Sequence, residues 1–213
     1  MTAFMPLTPL TPLTPPNLPK RFQTPSQTVG PFFAYGLVPA QYGYNLPSLF
    51  TPVLAQPQAA GEHILITGCV FDGAGQTIAD ALVEISHVDA RGQPVTTAAE
   101  AQTRSFTGFG RCGTGTLAGQ HYAFNTIKPG VAVAGQAPFI TVCVTMRGLL
   151  VHTFTRIYFD DEAAANSLDL VLASVPAARR ATLLAQRRPT PAGPVYRFDI
   201  HMQGPLETVF FDV

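Results

Sequence analysis

The chain contains no tryptophan, only three cysteines and few charged residues, which make up 12% of its 213 residues. The cysteines, Cys69, Cys112 and Cys143, are odd in number and form no C-x-x-C pair. This pattern argues against a disulfide framework and against a structural zinc site. Cys69 and Cys143 lie in apolar, strand-like runs, so we expect buried, reduced thiols and a cytoplasmic location.

Long apolar runs are also missing. No run reaches the roughly 18 residues that a membrane span requires. The first residues show no basic cluster followed by an apolar core, and prolines interrupt them repeatedly, so we expect no signal peptide.

The charges that are present cancel, with thirteen basic and thirteen acidic residues. This balance argues against nucleic acid or an anionic membrane surface as a partner. The sparse charge indicates that another chain covers much of the surface, although a monomer with a polar, uncharged surface would have the same composition.

Proline dominates the first part of the chain, where a Leu-Thr-Pro unit repeats. We predict a flexible, polyproline-like leader over residues 1–23, with an SH3-type ligand as the alternative. Residues 24–60 show neither helical nor strand periodicity, and we predict an extended arm that packs on a partner or on its own domain. Its candidate contact residues are Phe32, Phe33, Tyr35, Tyr42, Tyr44, Leu46, Leu49 and Phe50.

Residues 61–213 have the pattern of a β-domain, because short runs rich in β-branched and aromatic residues alternate with turn signals. Asp72-Gly73 between the first two runs predicts an antiparallel meander. One helix is predicted over residues 176–188, and a short helical turn over residues 160–166. The fold class is therefore all-β, an antiparallel β-sandwich with an irregular N-terminal arm and one or two short helices. The predicted strands cover residues 63–71, 81–86, 119–125, 139–147, 153–159, 195–202 and 208–213.

Four motifs carry a resemblance to a known family. They are T-P-S-Q-T-V-G-P-F from Thr24, T-I-K-P-G from Thr126, R-I-Y-F-D-D-E from Arg156, and the run from Tyr196 to Asp212. Together they make the chain similar, from about Thr24 onward, to the intradiol aromatic-ring dioxygenases. The chain departs from the family at Phe32, where tyrosine is common, and at Ser86, where tryptophan is usual.

The resemblance also shows which donors are missing. Iron-bearing members have a tyrosine after the Lys-Pro-Gly turn and a His-x-His pair on the next strand, where this chain has Val131, Phe139 and Thr141. A further tyrosine is expected about forty residues before the turn, but residues 86–121 contain none. Valine and phenylalanine offer no donor atom, and a threonine hydroxyl is a poor iron ligand. The resemblance therefore implies a chain that binds no metal, while its partner binds Fe(III).

The other potential metal-binding groups have simpler explanations. Asp160, Asp161 and Glu162 suit the first turn of a helix. The five histidines are scattered without i, i+2 or i, i+4 pairs, so each is expected to be an ordinary polar or loop residue: His63, His87, His121, His152 and His201.

The remaining candidate site residues are Thr28, Gly30, Pro31 and Arg147. A Gly-Pro step exposes its backbone and can approach a planar ring closely; on the residues alone, a structural turn is the simpler interpretation. The resemblance implies instead that Thr28, Gly30 and Pro31 form one wall of the substrate pocket in the partner. It also implies that Arg147 lies near the pocket entrance and favours an aromatic carboxylate, whereas Arg156 is interpreted as structural.

The implied activity belongs to a complex. Its expected partner is a beta-type subunit of the same enzyme, which would bind Fe(III) and cleave protocatechuate (3,4-dihydroxybenzoate) with O2 to 3-carboxy-cis,cis-muconate. The chain alone is expected to be inactive. Two alternatives remain: a β-sandwich interaction module without a pocket role, and a homomeric ring-cleaving enzyme with an unusual metal site.

Overall fold

The computed structural model describes residues 31–212, so the leader and the first residues of the arm lie outside the described part. Nine strands are found in that part: β1 His63–Phe71, β2 Leu82–Ser86, β3 Phe109–Gly113, β4 His121–Ile127, β5 Phe139–Thr145, β6 Thr153–Phe159, β7 Leu184–Arg188, β8 Val195–Arg197 and β9 Ile200–His201. The α-helices are α1 Pro31–Leu37, α2 Ala98–Arg104, α3 Ala163–Leu168 and α4 Leu170–Ser174. Two 3-10 helices cover Pro39–Tyr42 and Ala177–Leu183.

The strands form one large mixed sheet in the order β3-β2-β5-β6-β7-β8-β1-β4, with β9 beside β1. The sheet folds into two layers that share one core, since inward residues of β5, such as Val142, cluster with inward residues of β1, such as Ile66. Strict alternation on β5 explains this, because every second residue is buried. The all-β class is confirmed, and the continuous strand order gives the domain a nearly barrel-like form.

Strand β7 corrects the predicted helix over residues 176–188. Only Ala177–Leu183 is helical, as a 3-10 helix, and Leu184–Arg188 is a strand between β6 and β8. The helical prediction took the arginines as favourable charges near a C-terminus. Arg180 instead donates to the carbonyls of Ala173 and Val175, at 2.7 and 2.8 Å, at the end of α4. Residues 184–188 pair with β6 on one edge and with β8 on the other, and this pairing overrides their local preference for a helix.

Three other expectations also need correction. The turn at Asp72 does not join a hairpin, because β1 pairs with β4 while β2 pairs with β3 and β5 in the other layer. Residues 195–202 form two strands, and residues 208–212 contribute only an isolated bridge at Phe211. Three of the pairings, β1 with β8, β1 with β9 and β6 with β7, are parallel.

The predicted count of helices was too low, and β3 was missed. Two glycines in β3 interrupt the β-branched and aromatic composition that marks a strand. They allow close packing, because a Cβ on Gly110 would lie 2.3 Å from Leu54. Within the described part no helix has the length and apolar character needed to cross a bilayer. All three cysteines carry free thiols.

The arm is partly helical from Pro31 onward and packs on its own domain. Ala34 and Val38 of α1 are buried against Leu82, and Leu54 is buried in the main core. Several of its large apolar residues are exposed, including Leu49, whose exposed fraction is 88%. The arm thus contacts its own domain on one side and presents apolar surface on the other.

Candidate functional site

The Lys-Pro-Gly turn is held by an ion-pair network that begins where β4 ends. Lys128 Nζ lies 2.9 Å from Asp161 Oδ2 and 2.6 Å from Glu162 Oε1. Burial alone would lower the pKa of Lys128, but hydrogen bonds to Glu162 and Asp161 outweigh it and raise the pKa. The T-I-K-P-G motif and the R-I-Y-F-D-D-E motif therefore contact each other through these ion pairs.

This network adds ion pairs and hydrogen bonds to the helix-dipole interpretation of the acidic cluster, which lies directly before α3. Glu162 occupies the N-cap of α3 but makes no side-chain capping bond. Asp161 accepts a hydrogen bond from Tyr196 Oη at 2.9 Å, and Asp160 accepts one from the Arg187 amide at 3.0 Å. The cluster therefore fastens the turn after β4 to the strands β7 and β8.

Two glycines bring this turn against the loop that follows β2. The Gly130 amide donates to Asp89 O at 2.9 Å, and a Cβ on Gly130 would lie 2.5 Å from Ala90 O. Gly92 has a φ of +78°, and a Cβ there would lie 2.0 Å from Val131 O. This close approach fixes the backbone of Val131, whose exposed fraction is 49%.

The other two expected ligand positions lie on one face of β5. Phe139 and Thr141 line a cavity of about 350 Å³ together with His87, Phe109 and Ala132, the neighbour of Val131. This agrees with the two-residue period of a strand, which places side chains two positions apart on one face. The structure brings the positions that carry ligands in iron-bearing relatives to one region of the molecule.

The residues in this region do not fit an iron ion. Val131 and Phe139 have no donor atom, and residues 31–212 contain no group of three or more His, Cys, Asp or Glu that could hold a metal. The Arg156 guanidinium lies 4.1 Å from the centroid of the Phe139 ring, which places a positive charge where a cation would have to bind. Its hydrogen bond to Tyr158 Oη, at 3.4 Å, agrees with a structural role.

His87 has both ring nitrogens engaged at the edge of this cavity. Nδ1 lies 2.8 Å from Val88 O, which can only accept, so Nδ1 carries the proton. Nε2 then accepts from the Thr126 hydroxyl at 2.8 Å. Burial lowers the pKa of His87 to about 4, against the smaller opposing effect of the Val88 carbonyl.

We expect His87 to make stability depend on pH between about 6.5 and 4. The unfolded chain takes up the proton first as the pH falls, so the free energy of unfolding is constant above that range and decreases within it. Because the residue keeps some accessible surface, a loss of about 1–3 kcal/mol is expected. Denaturant midpoints at pH 7.5 and 4.5 test this. The His87→Gln variant should show a weaker pH dependence; equal pH dependence in both proteins would contradict the prediction.

Arg147 lies outside this cavity, on the connection between β5 and β6. Its Nε is 3.1 Å from Asp80 Oδ2, and 75% of its side chain is exposed. The next residue, Gly148, has a φ of +94°, and the nearby Leu150 and Val151 are exposed. Asp80 was missed by the sequence reasoning, because nothing in the chain links positions 67 residues apart.

The remaining predicted pocket residues lie at or beyond the edge of the described part. Thr28 and Gly30 fall outside residues 31–212, and Pro31 is the first residue of α1. The pocket roles of Thr28, Gly30, Pro31 and Arg147 therefore stay predictions.

Comparisons with known proteins agree with this fold. The family model described as Dioxygenase matches residues 39–204. The structure of an intradiol ring-cleavage dioxygenase from Tetranychus urticae superposes with a TM-score of 0.56 at 16% identity, over 78% of this chain and 92% of that one. The chain belongs to the intradiol dioxygenase family, whose members are iron-dependent.

Two relatives match over nearly the whole chain. A protocatechuate 3,4-dioxygenase alpha chain of Burkholderia cepacia is 58% identical over 192 residues, which is 90% of this chain and 98% of that relative. The protein of the same name from Pseudomonas putida is 41% identical over 198 residues, 89% of this chain and 96% of that relative. The resemblance to the intradiol dioxygenases that the motifs carried is confirmed, and both of these relatives are alpha chains.

Proposed function

We propose that this chain is the iron-free alpha subunit of a protocatechuate 3,4-dioxygenase, with a beta-type chain as its partner. The 58% identity to an alpha chain over 90% of the sequence is the observation that carries the proposal. The donor set supports it independently, because the residues at Val131, Phe139 and Thr141 cannot hold Fe(III). The iron and its ligands then belong to the beta subunit.

The proposed reaction opens the ring of 3,4-dihydroxybenzoate between its two hydroxyl-bearing carbons. Both atoms of O2 enter the product, 3-carboxy-cis,cis-muconate, so no other reductant or oxidant is required. In this assembly the alpha chain shapes the pocket, excludes water and supplies positive potential, while the partner supplies the metal. We place the complex in the cytoplasm, where the three free thiols would stay reduced.

The surface of the arm supports contact with a partner. Tyr44, Leu46 and Leu49 are exposed by 55%, 64% and 88%, and large apolar groups gathered on one segment are typical of a covered surface. The buried side of α1, the helix that begins at Pro31, packs against Leu82 of its own domain.

Co-purification tests the proposal. A tag on this chain, expressed in its host, should retain a beta-type chain, and the complex should contain one iron per pair of chains with ring-cleaving activity. Recovery of an unrelated protein would support the interaction-module alternative. Recovery of an active, iron-loaded assembly of this chain alone would support the homomeric enzyme.

Replacing Gly30 by valine is expected to lower turnover by the complex at least about tenfold, because a branched side chain would occupy space needed by the substrate ring. Iron content and assembly should not change. Gly36→Ala is the matched control, since a Cβ there meets nothing within 4 Å. Unchanged activity in an assembled Gly30→Val complex would show that Gly30 does not line the pocket.

A further inference from the structure

A cleft of about 330 Å³ lies on the face of β7 and β8 that points away from the main core. Its apolar lining comes from Ala181 in the second 3-10 helix, from Leu184 and Phe198, and from Leu206 near the C-terminus. It shares no lining residue with the cavity described above. Pockets of roughly 300–1,000 Å³ hold small ligands, so this cleft has room for a molecule of its own.

The polar lining of the cleft consists mostly of hydrogen-bond donors: Gln186 and Arg188 on β7, Arg197 on β8 and His201 on β9. Gln186 is paired with Arg197 across the two strands, and Arg188 lies two residues further along β7, on the same face. Within residues 31–212 the side chains of Gln186, Arg188 and His201 make no hydrogen bond, and Arg197 uses only Nε. The cleft therefore presents two guanidinium groups whose donors the described part of the chain leaves largely unused.

Two of these donor groups are held in place by their neighbours. Asp199 Oδ1 accepts a hydrogen bond from the Cys69 amide at 2.9 Å, and Asp199 Oδ2 accepts one from Arg197 Nε at 2.9 Å. This arrangement leaves Nη1 and Nη2 of Arg197 for a second acceptor. The His201 ring stacks on Phe71, with 4.8 Å between the ring centroids and 14° between the ring planes. Donors that are already oriented lose less conformational entropy when a ligand binds.

The charge of the cleft favours an anion. Its two arginines and its one carboxylate, that of Asp199, give the lining a net positive charge even when His201 is neutral. Guanidinium groups bind phosphate and carboxylate oxygens through paired hydrogen bonds. A phosphate group suits two guanidinium groups better than a single carboxylate does, because it has more acceptor oxygens and a second negative charge.

We propose that this cleft binds the phosphate group of a small phosphomonoester, or inorganic phosphate, through Arg188 and Arg197. The organic part of an ester would lie against the apolar lining at Leu184 and Leu206. Binding involves no chemical change of the ligand. The proposal rests on the cleft alone and does not depend on the function proposed above.

The test is isothermal titration calorimetry of the full chain with inorganic phosphate and with butyl phosphate, in a phosphate-free buffer at fixed ionic strength. We expect one saturable equivalent per copy of the chain for each ligand. Butyl phosphate should bind more tightly, because its alkyl group would cover apolar surface at Leu206. Equal affinities would assign the site to inorganic phosphate. Butanol, which has the same alkyl group without the phosphate, should show no saturable binding.

Arg188→Gln and Arg91→Gln form a matched pair of variants. Both remove an exposed arginine that has no ion pair within residues 31–212, but only Arg188 lines the cleft. Arg188→Gln should weaken both phosphate ligands about three- to tenfold, whereas Arg91→Gln should change neither. Arg197→Gln should weaken both ligands as well, and Leu206→Ala should weaken butyl phosphate alone.

The Arg188 and Arg91 pair decides the outcome even if Arg197→Gln fails to fold, because both side chains are exposed. No saturable binding of either phosphate ligand to the wild-type chain would overturn the proposal. Equal effects of Arg188→Gln and Arg91→Gln would also overturn it, since they would show attraction to the overall charge of the chain and no defined site.

Discussion

The full chain produced without a partner is expected to bind no stoichiometric iron and to cleave neither protocatechuate nor catechol. The reason is chemical, because Val131 and Phe139 lack donor atoms and a lone threonine hydroxyl at Thr141 cannot replace imidazole. The Arg156 guanidinium over the Phe139 ring opposes a cation at the same place. Activity should therefore fall from its full value in the complex to the background of the assay.

Metal analysis, visible absorption and a ring-cleavage assay check this prediction on the same preparation. The matched control is the complex with the beta-type chain, which should contain iron and show the red-brown colour of tyrosinate-to-iron charge transfer. The chain alone should be colourless. Tight iron binding with that colour in the isolated chain would contradict the alpha-subunit proposal.

Arg147→Ala is expected to raise the KM of the complex for protocatechuate about tenfold and to change the KM for catechol little. Catechol lacks the carboxylate that the guanidinium would contact, and a partly solvated contact of this kind is worth roughly 1–2 kcal/mol. The exposed position of Arg147 leaves the side chain accessible, although its present partner is Asp80. Steady-state kinetics on both substrates give the comparison.

Two control variants and a salt series separate the possible causes. Arg91→Ala removes another exposed arginine, which has no ion pair within the described part of the chain, and should leave both KM values unchanged. Asp80→Asn releases the guanidinium and should not raise the KM for protocatechuate. High salt should reduce the wild-type preference for protocatechuate if the effect is long-range, and leave it if the contact is direct. Equal losses on both substrates after Arg147→Ala would assign the residue to the interface.

The sequence was most reliable where the strand composition and the turn signals are both clear. The bounds predicted for β1 and β6 match those observed, because both runs are rich in β-branched and aromatic residues and end at clear turn signals. The prediction failed over residues 184–188, where the local pattern is compatible with a helix. Pairing with β6, which ends 25 residues earlier in the chain, and with β8, which follows after a short connection, makes that segment a strand.

Some parts of the candidate site were accessible from sequence for a similar reason. The missing donors at Val131, Phe139 and Thr141 follow from residue type and from the two-residue period of a strand, which are both local properties. The partners of Lys128 and Arg147 were not accessible, since Asp161 and Asp80 are 33 and 67 positions away from them. The residue types predict that partly buried charges need partners of opposite charge, but they do not identify those partners.

The sequence by itself determined that the chain is an all-β member of a dioxygenase family and that its own residues do not fit an iron site. Those conclusions depend on composition, motif and side-chain chemistry, which are properties of each residue and its neighbours. Only the tertiary structure decided that β7 joins the two layers, that Lys128 fastens the turn before Val131, and that Arg188 and Arg197 line one cleft. These features arise where distant segments meet, and their energies depend on pairing and packing that a local pattern does not specify.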